Sequence, residues 1–355
     1  MMSELAIHKH YMLRCLELAK SGLGKVAPNP LVGCVIVYKD KIIGEGFHRK
    51  YGGPHAEVHA VNSVIDDAKL KESTLYVNLE PCSHYGKTPP CTDLIIRKKI
   101  KKVVIGCRDV YAEVDGKGIE KLKKAGIEVI TGVLEEESRE INKRFFTYHQ
   151  KKRPYIILKW AQTLDGFIDK RRDHRKVKAA WITNEISRSL VHKWRTEEQG
   201  IMVGTETAIA DNPKLNVRNW TGKNPLRIAV DRSLRIPETH HLLDRSVPTL
   251  IFCEKEKENK ENLKFYKINF ANQSLQEMLD LMYKNNIQSI IVEGGEKLLN
   301  SFIKINLWDE ARIFIGEKIF NEGVDAPKLK ISKLFVKNRL EESLLYVYRN
   351  TFEKI

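Results

Sequence analysis

Two α/β domains are the fold class this chain predicts, on three observations. The chain has 355 residues, more than one hydrophobic core usually organises, since single cores stop growing at roughly 250–300 residues. Helix-like and strand-like segments alternate throughout, the pattern of layered α/β architecture. A charged helical stretch ends in His149-Gln150-Lys151-Lys152-Arg153-Pro154, and a basic run closed by proline is a natural boundary between compact units. The predicted division is 1–150 and 151–355.

In the first part, patterning predicts a helix near 8–21, strands near 32–38 and 42–47, and a helix opening at His55. A strand at 74–79 alternates as a buried strand does and ends at Glu80-Pro81-Cys82. Helix 91–99, strand 102–107, helix 117–125, strand 127–131 and one long helix over 134–148 follow. In the second part, Tyr155-Ile156-Ile157-Leu158-Lys159-Trp160-Ala161 reads as a buried strand. Helices are expected near 184–199, 205–210 and 274–285, and strands near 200–203, 226–230, 249–253, 288–292 and 311–315. No Gly-x-Gly-x-x-Gly follows a strand, so a standard dinucleotide turn is not predicted. Instead, strand 290–292 runs into Glu293-Gly294-Gly295-Glu296 and a helix over 297–303. Glycines at such a turn let a phosphate approach the N–H groups of a helix start.

The chemistry concentrates in His55-Ala56-Glu57, then Pro81-Cys82 and Cys91. A catalytic zinc ion takes three protein ligands and keeps a fourth position for water. One imidazole and two thiols meet that need, and Glu57 is left over to move protons. Pro54 suits a helix start, which sets His55 and Glu57 in the first turns, able to face one cavity. Thiolates there are stabilised by positive potential. Singly, each residue has a blander reading, since His-x-Glu is common on exposed helices and a buried cysteine is usually core. In this order they point to zinc, and His59 is then structural. The arrangement resembles that of the zinc nucleobase deaminases, which implies hydrolytic removal of an exocyclic amine from a heterocycle.

Eight residues, Ser83-His84-Tyr85-Gly86-Lys87-Thr88-Pro89-Pro90, separate the two thiols. Most such deaminases have two. With Asn29-Pro30-Leu31-Val32-Gly33-Cys34-Val35-Ile36-Val37 upstream, the longer loop resembles the deaminase half of the RibD family of bifunctional riboflavin-biosynthesis enzymes, over roughly residues 8–150. Further on, Leu164-Asp165-Gly166, Gly204-Thr205-Glu206-Thr207, Ala210-Asp211-Asn212-Pro213, Leu215-Asn216-Val217-Arg218 and Val292-Glu293-Gly294-Gly295 occur in the order of that family's reductase half. The resemblance implies a cytidine-deaminase-like three-layer α/β/α domain followed by a dihydrofolate-reductase-like α/β domain.

It further implies deamination of 2,5-diamino-6-ribosylamino-4(3H)-pyrimidinone 5′-phosphate, then NADPH-dependent reduction of the ribosyl group to ribityl. Zinc would be held by His55, Cys82 and Cys91, with Glu57 as general acid and base. Asn29 and Lys87 would bind the deaminase substrate. Ala161, Trp181, Thr207, Asp211 and the turn of Gly295, Glu296, Lys297, Leu298, Leu299, Asn300 and Ser301 would contact NADPH. Ala179, Arg195, Leu215, Arg218 and Glu293 would contact the reductase substrate. Guanidinium forks suit a ribose 5-phosphate, and Lys159 and Asp165 are candidates for polarising the ring-opened sugar. Arg232 and Arg235 follow strand 227–231, where an arginine can pair with the NADPH 2′-phosphate. The chain departs from the family at Ala179, where a serine is expected, at Asp109-Val110-Tyr111 for Asp-Pro-Asn, and at Thr163 for serine.

Net charge is +15, from 61 Lys+Arg against 46 Asp+Glu. Such an excess suits an anionic partner, but the lysines are scattered and no aromatic-basic stripe for stacking bases is present. A lysine-rich surface and phosphorylated small substrates are expected, without nucleic acid. An RNA-editing adenosine deaminase with an appended domain is the alternative, but it predicts Cys-x-x-Cys. A non-enzymatic zinc module would need a fourth ligand. No apolar run spans a bilayer, the N-terminus lacks a signal pattern, and the six cysteines are too sparse for a disulfide framework. A cytoplasmic homo-oligomer, dimer or tetramer, is expected.

Overall fold

The structure, a computed structural model, describes residues 3–86, 89–111, 113–171, 180–271, 274–330 and 332–351. The chain forms two compact units, Met1–Lys152 and Arg153–Ile355.

The first unit runs α1 (Glu4–Lys20), β1 (Gly33–Tyr38), β2 (Lys41–Phe47), α2 (Ala56–Asn62) and β3 (Thr74–Leu79). It continues through α3 (Cys91–Arg97), β4 (Lys102–Cys107), α4 (Lys117–Lys124), β5 (Glu128–Thr131), α5 (Glu135–Ile141) and α6 (Lys143–Lys151). Its sheet has the order β2-β1-β3-β4-β5. β1 is antiparallel to β2 and β3, whereas β3, β4 and β5 are parallel. Apolar side chains alternate between its faces. Cys34, Ile36, Leu75, Val77, Val103 and Ile105 pack toward α2 and α3, and Val35, Val37, Tyr76 and Val104 toward α1. That is the expected three-layer arrangement. Gly46 of β2 is required by close approach: a Cβ there would lie 2.4 Å from the Ala56 carbonyl. The bare backbone lets α2 sit directly on the sheet.

One long helix over 134–148 does not form. The chain breaks at Asn142, between α5 and α6. The Asn142 side chain is buried and brackets Leu31, accepting from its N–H at 2.7 Å and donating to its carbonyl at 2.9 Å. A long-range polar pair thus overrides a locally helical pattern.

The second unit runs β6 (Tyr155–Gln162), β7 (Phe167–Asp169), α7 (Glu185–Glu197), β8 (Gly200–Gly204), α8 (Thr205–Asp211), β9 (Leu226–Val230), β10 (Thr249–Cys253) and β11 (Leu263–Lys267). Then come α9 (Ser274–Lys284), β12 (Ser289–Val292), α10 (Glu296–Lys304), β13 (Glu310–Gly316), β14 (Val324–Asp325), β15 (Lys333–Leu340) and β16 (Ser343–Arg349). The main sheet has the order β11-β10-β9-β8-β12-β6-β13-β16-β15. It is parallel from β11 to β13 and antiparallel at the β16 and β15 edge. The short strands β7, β11 and β14 and the β15–β16 hairpin have no counterpart in the sequence patterning. β15 is mostly exposed, so it carries no buried alternation to read.

Period-two alternation along β6 decides what faces what. Ile156, Leu158 and Trp160 join the core beneath α9 and α10. Tyr155, Ile157 and Ala161 join the face covered by α7 with Val191 and Trp194. Lys159 is thereby placed on the α7 face. Truncating fully buried Leu158 to alanine is expected to cost about 2–5 kcal/mol.

Candidate active sites

In the first unit, three short segments converge. His55 is the residue before α2, extended at φ −76° and ψ 169°. Cys82 lies just beyond the carboxyl end of β3, and Cys91 is the first residue of α3. The Thr92 N–H donates to the Cys82 carbonyl at 3.2 Å and the Cys91 N–H to Cys82 Sγ at 3.3 Å, tying the two ends together across the loop. The ligand atoms of His55, Cys82 and Cys91 lie within 4.8 Å of one another. His55 Nδ1 is 3.5 Å from Cys82 Sγ and 3.3 Å from Cys91 Sγ. Tetrahedral bonds of ~2.0–2.3 Å separate donor atoms by roughly 3.3–3.8 Å, so these residues fit zinc.

The electrostatics suit the same ion. A hydrogen bond with Cys91 pulls the Cys82 thiol down to about 4 against its burial, with His55 adding to the pull. Cys91 is pushed up by the same pairing and by burial. Metal binding needs both thiols as thiolates, so it would release protons from this cluster. Glu57 is 3% exposed, and its Oε2 is buried without a hydrogen-bond partner among the described residues. Burial pushes its carboxyl above the ordinary value, and His55 offsets part of that. A buried, incompletely bonded carboxyl beside a metal site is equipped to take up and release protons.

Asn29 has a partner that sequence reasoning missed. Its side-chain amide lies 3.0 Å from His48 Nε2, and His48 Nδ1 lies 3.0 Å from the Pro54 carbonyl. The carbonyl can only accept, so Nδ1 carries the proton and Nε2 accepts from Asn29. The His48 ring stands edge-on to His55 at 5.4 Å. Nothing in the sequence separates His48 from the chain's other histidines; only folding places it here. Lys87 lies outside the described residues.

In the second unit, the candidates gather at the carboxyl ends of β6, β8, β9 and β12, the rim where parallel sheets bind ligands. Register pairs Val292 of β12 with Leu158 of β6, which sets Lys159 beside Glu293. Lys159 Nζ is 3.7 Å from Glu293 Oε2. Arg195 of α7 donates to the same oxygen at 2.9 Å and to the Asn216 carbonyl at 3.0 Å. Burial alone would raise the Glu293 carboxyl, yet Arg195 and Lys159 hold it at about 2. Burial lowers Lys159, and Glu293 counters it.

The two arginines read as phosphate forks part ways. Arg195 is buried, with its donors committed to Glu293 and Asn216. Arg218 is exposed and donates to Asn216 Oδ1 at 2.8 Å. His192 accepts from the Arg218 N–H at 3.2 Å, and burial, reinforced by both arginines, lowers the imidazole to about 4. Leu215 is buried. Ala179 lies outside the described residues.

Gly295, Glu296, Lys297, Leu298, Leu299, Asn300 and Ser301 form the turn into α10 and its first turns. Thr207 Oγ1 accepts from the Gly295 N–H at 2.9 Å, joining α8 to that turn. Asp211 ends α8, and Ala161 lies on β6. Trp181 is 62% exposed with the Arg188 guanidinium 4.8 Å above its ring. Arg232 forms a two-pronged pair with Glu254, and Arg235 pairs with Glu206. Asp165 accepts from the Phe320 and Asn321 N–H groups at 3.0 and 2.8 Å, so its carboxylate fastens that turn.

Residues 5–107 match the cytidine and deoxycytidylate deaminase zinc-binding region, and residues 154–344 match the RibD C-terminal domain. The chain is 42% identical to the riboflavin biosynthesis protein RibD of Aquifex aeolicus, covering 97% of this chain and 99% of that protein. It is 34% identical to RibD of Escherichia coli over 90% and 89% of the respective chains. Among solved structures, a diaminohydroxyphosphoribosylaminopyrimidine deaminase/5-amino-6-(5-phosphoribosylamino)uracil reductase from Thermotoga maritima superposes with a TM-score of 0.89. That structure is 38% identical, and the match covers 98% of this chain and 100% of that one. RibD of Acinetobacter baumannii gives 0.87 at 33% identity, over 98% of this chain and 100% of that one. These similarities do not favour the RNA-editing alternative. Among the described residues no helix is long and apolar enough to cross a membrane.

Proposed function

The chain belongs to the RibD family of bifunctional riboflavin-biosynthesis enzymes, and from that premise we propose how its own residues divide deamination and reduction. Deamination belongs to residues 1–150 and reduction to 151–355. The substrate is the phosphorylated 2,5-diamino-6-ribosylamino-pyrimidinone, and the final product is 5-amino-6-(5-phospho-ribitylamino)uracil. The observation that carries the first step is the convergence of His55, Cys82 and Cys91 beside buried Glu57.

His55, Cys82 and Cys91 would hold zinc, which would supply Lewis acidity that brings the pKa of water toward ~7. Glu57 removes a proton from the water that adds to the amine-bearing ring carbon. It returns that proton to the ring nitrogen, then carries the proton of the newly added hydroxyl to the amine, which leaves as ammonia as the carbonyl forms. Asn29, oriented by His48, and Lys87 hold the pyrimidine.

NADPH held in the second unit would supply the hydride for C1′ of the ribosyl group. The protein's part is mainly orientation. Ala161, Trp181, Thr207, Asp211 and the turn from Gly295 through Glu296, Lys297, Leu298, Leu299, Asn300 and Ser301 seat the cofactor, with Arg232 on its 2′-phosphate. Arg218 takes the substrate phosphate, and Leu215 and Ala179 line the pocket. Arg195 and Glu293 fix the charge around Lys159, which is placed to polarise the ring-opened sugar.

We further infer a cytoplasmic homo-oligomer, a dimer or tetramer. Six free cysteines support a reducing compartment, and exposed Leu334 and Phe335 on β15 support contact with a second copy. The test is zinc content with ammonia release and NADPH oxidation on the diaminopyrimidine. Ammonia should appear without NADPH, and NADPH oxidation should follow deamination. Zinc-loaded protein that releases no ammonia would overturn the reading.

A further inference from the structure

The carboxyl end of β3 leads into Glu80-Pro81-Cys82, and the Glu80 side chain turns inward, 3% exposed. Its carboxylate accepts four backbone N–H groups. Oε1 takes those of Gly118 at 2.9 Å and Ile119 at 3.1 Å, and Oε2 takes those of Gly116 at 3.0 Å and Asp109 at 3.2 Å. The Glu80 N–H donates to the Cys107 carbonyl at 3.0 Å. One side chain thus gathers the turn after β4 and the opening of α4. Those N–H groups have no partner within their own helix, and a carboxylate is the natural acceptor at that positive end.

The opposite side of the clamp is equally specific. A Cβ on Gly118 would lie 2.1 Å from the Pro81 carbonyl oxygen, so α4 lies directly against the peptide joining Glu80 to Cys82. Pro81 has a fixed φ and transmits that placement. The Cys82 carbonyl in turn accepts from Thr92 in the first turn of α3, next to Cys91. A buried carboxylate is costly unless fully hydrogen-bonded, and here the residue that bears that cost stands two positions from a metal ligand.

We propose that Glu80 is a positioning residue for the zinc centre: it holds the strand end that carries Cys82 and, through the Cys82–Thr92 bond, the helix start that carries Cys91. The inference rests on the assignment of zinc to His55, Cys82 and Cys91. Glu80→Gln keeps size but turns one acceptor oxygen into a donor facing other donors. Partners that orient ligands typically contribute ~10–100-fold to metal affinity, so zinc transfer to a chelator should accelerate by about that factor.

The experiment measures zinc release to a colorimetric chelator from wild type, Glu80→Gln and Gly118→Ala, all as full chains. Limited proteolysis, read as the survival of fragments from Met1–Lys152, reports whether the unit that carries the substitutions is folded in each chain. Gly118→Ala attacks the same clamp from α4 with Glu80 intact, and it decides the matter if Glu80→Gln is insoluble. Faster zinc release with wild-type protease resistance of the first unit supports the proposal. Wild type that holds zinc, with both variants releasing it at the wild-type rate, overturns it. Wild type that holds no zinc overturns the metal assignment instead.

Discussion

Glu57 in the first unit, buried, and Glu293 in the second, with a side chain 10% exposed, both lie beside candidate reacting groups, and their surroundings drive them in opposite directions. Glu57 has an oxygen without a partner among the described residues, and burial raises its carboxyl. Glu293 lies against Arg195 and Lys159, and these cations hold it at about 2 despite burial. A carboxyl left incompletely bonded can exchange a proton at modest cost, so it suits chemistry in which protons move. A carboxylate matched by two cations stays charged and fixes their positions, so it suits orientation.

The sharpest way to break that contrast is Glu57→Gln. Zinc should remain bound, since Glu57 is not needed as a ligand, while ammonia release falls by ~10²–10⁴-fold or more. A variant with near-normal ammonia release would remove Glu57 from the mechanism.

Glu293→Gln comes next. It leaves buried Arg195 and partly buried Lys159 without their counter-charge, a change that costs up to about 3–5 kcal/mol when both groups are fully buried. Denaturant unfolding should register that loss along with slowed NADPH oxidation. The pH dependence has a definite sign. The Glu293 carboxyl sits at about 2 in the fold, below its ordinary 4.5. The stability it contributes is therefore present above pH ~4.5 and lost as pH falls toward ~2. Unfolding measured across that window should lose part of its slope in the variant. Identical slopes in the two proteins would mean that Glu293 is not the fixed charge described here.

Arg218→Ala should raise KM for the phosphorylated reductase substrate by ten- to a hundredfold, since a charge-assisted hydrogen bond is worth roughly 1.5–3 kcal/mol. The zinc site should be untouched, and an unchanged KM would move the phosphate elsewhere. The smallest effect is expected at Arg232, which is exposed and already paired with Glu254. Arg232→Ala should lower the preference for NADPH over NADH by about tenfold or less, because the existing pair must open first. Steady-state comparison of the two cofactors reads this directly, and an unaltered preference would place the 2′-phosphate on another basic residue.

The two sites were legible to different degrees, for a physical reason. Metal donors must be particular residue types at short separations along two chain segments, so His55, Cys82 and Cys91 stood out as a pattern before any fold was known. Lys159, Arg195 and Glu293 are common residues far apart in the chain, and a β6–β12 register together with a helix laid over it brings them together. Their grouping was readable by family resemblance but not by spacing. The same distinction explains His48, whose partners Asn29 and Pro54 meet it only in the folded unit, and the Asn142 break, which answers to Leu31 rather than to its neighbours.

Local chemistry determined what the sequence by itself could determine: the alternation of strands and helices, and the donor set with its spare carboxylate. These depend on periodicity, backbone preference and residue type, which are properties of short stretches. Only the tertiary structure decided which arginine is spent on a buried carboxylate and which faces solvent, that Asp165 fastens a turn, and that Glu80 gathers four N–H groups from two distant segments. Burial and hydrogen-bond partners are set by the whole packing, and the charge state of each of these groups follows from them.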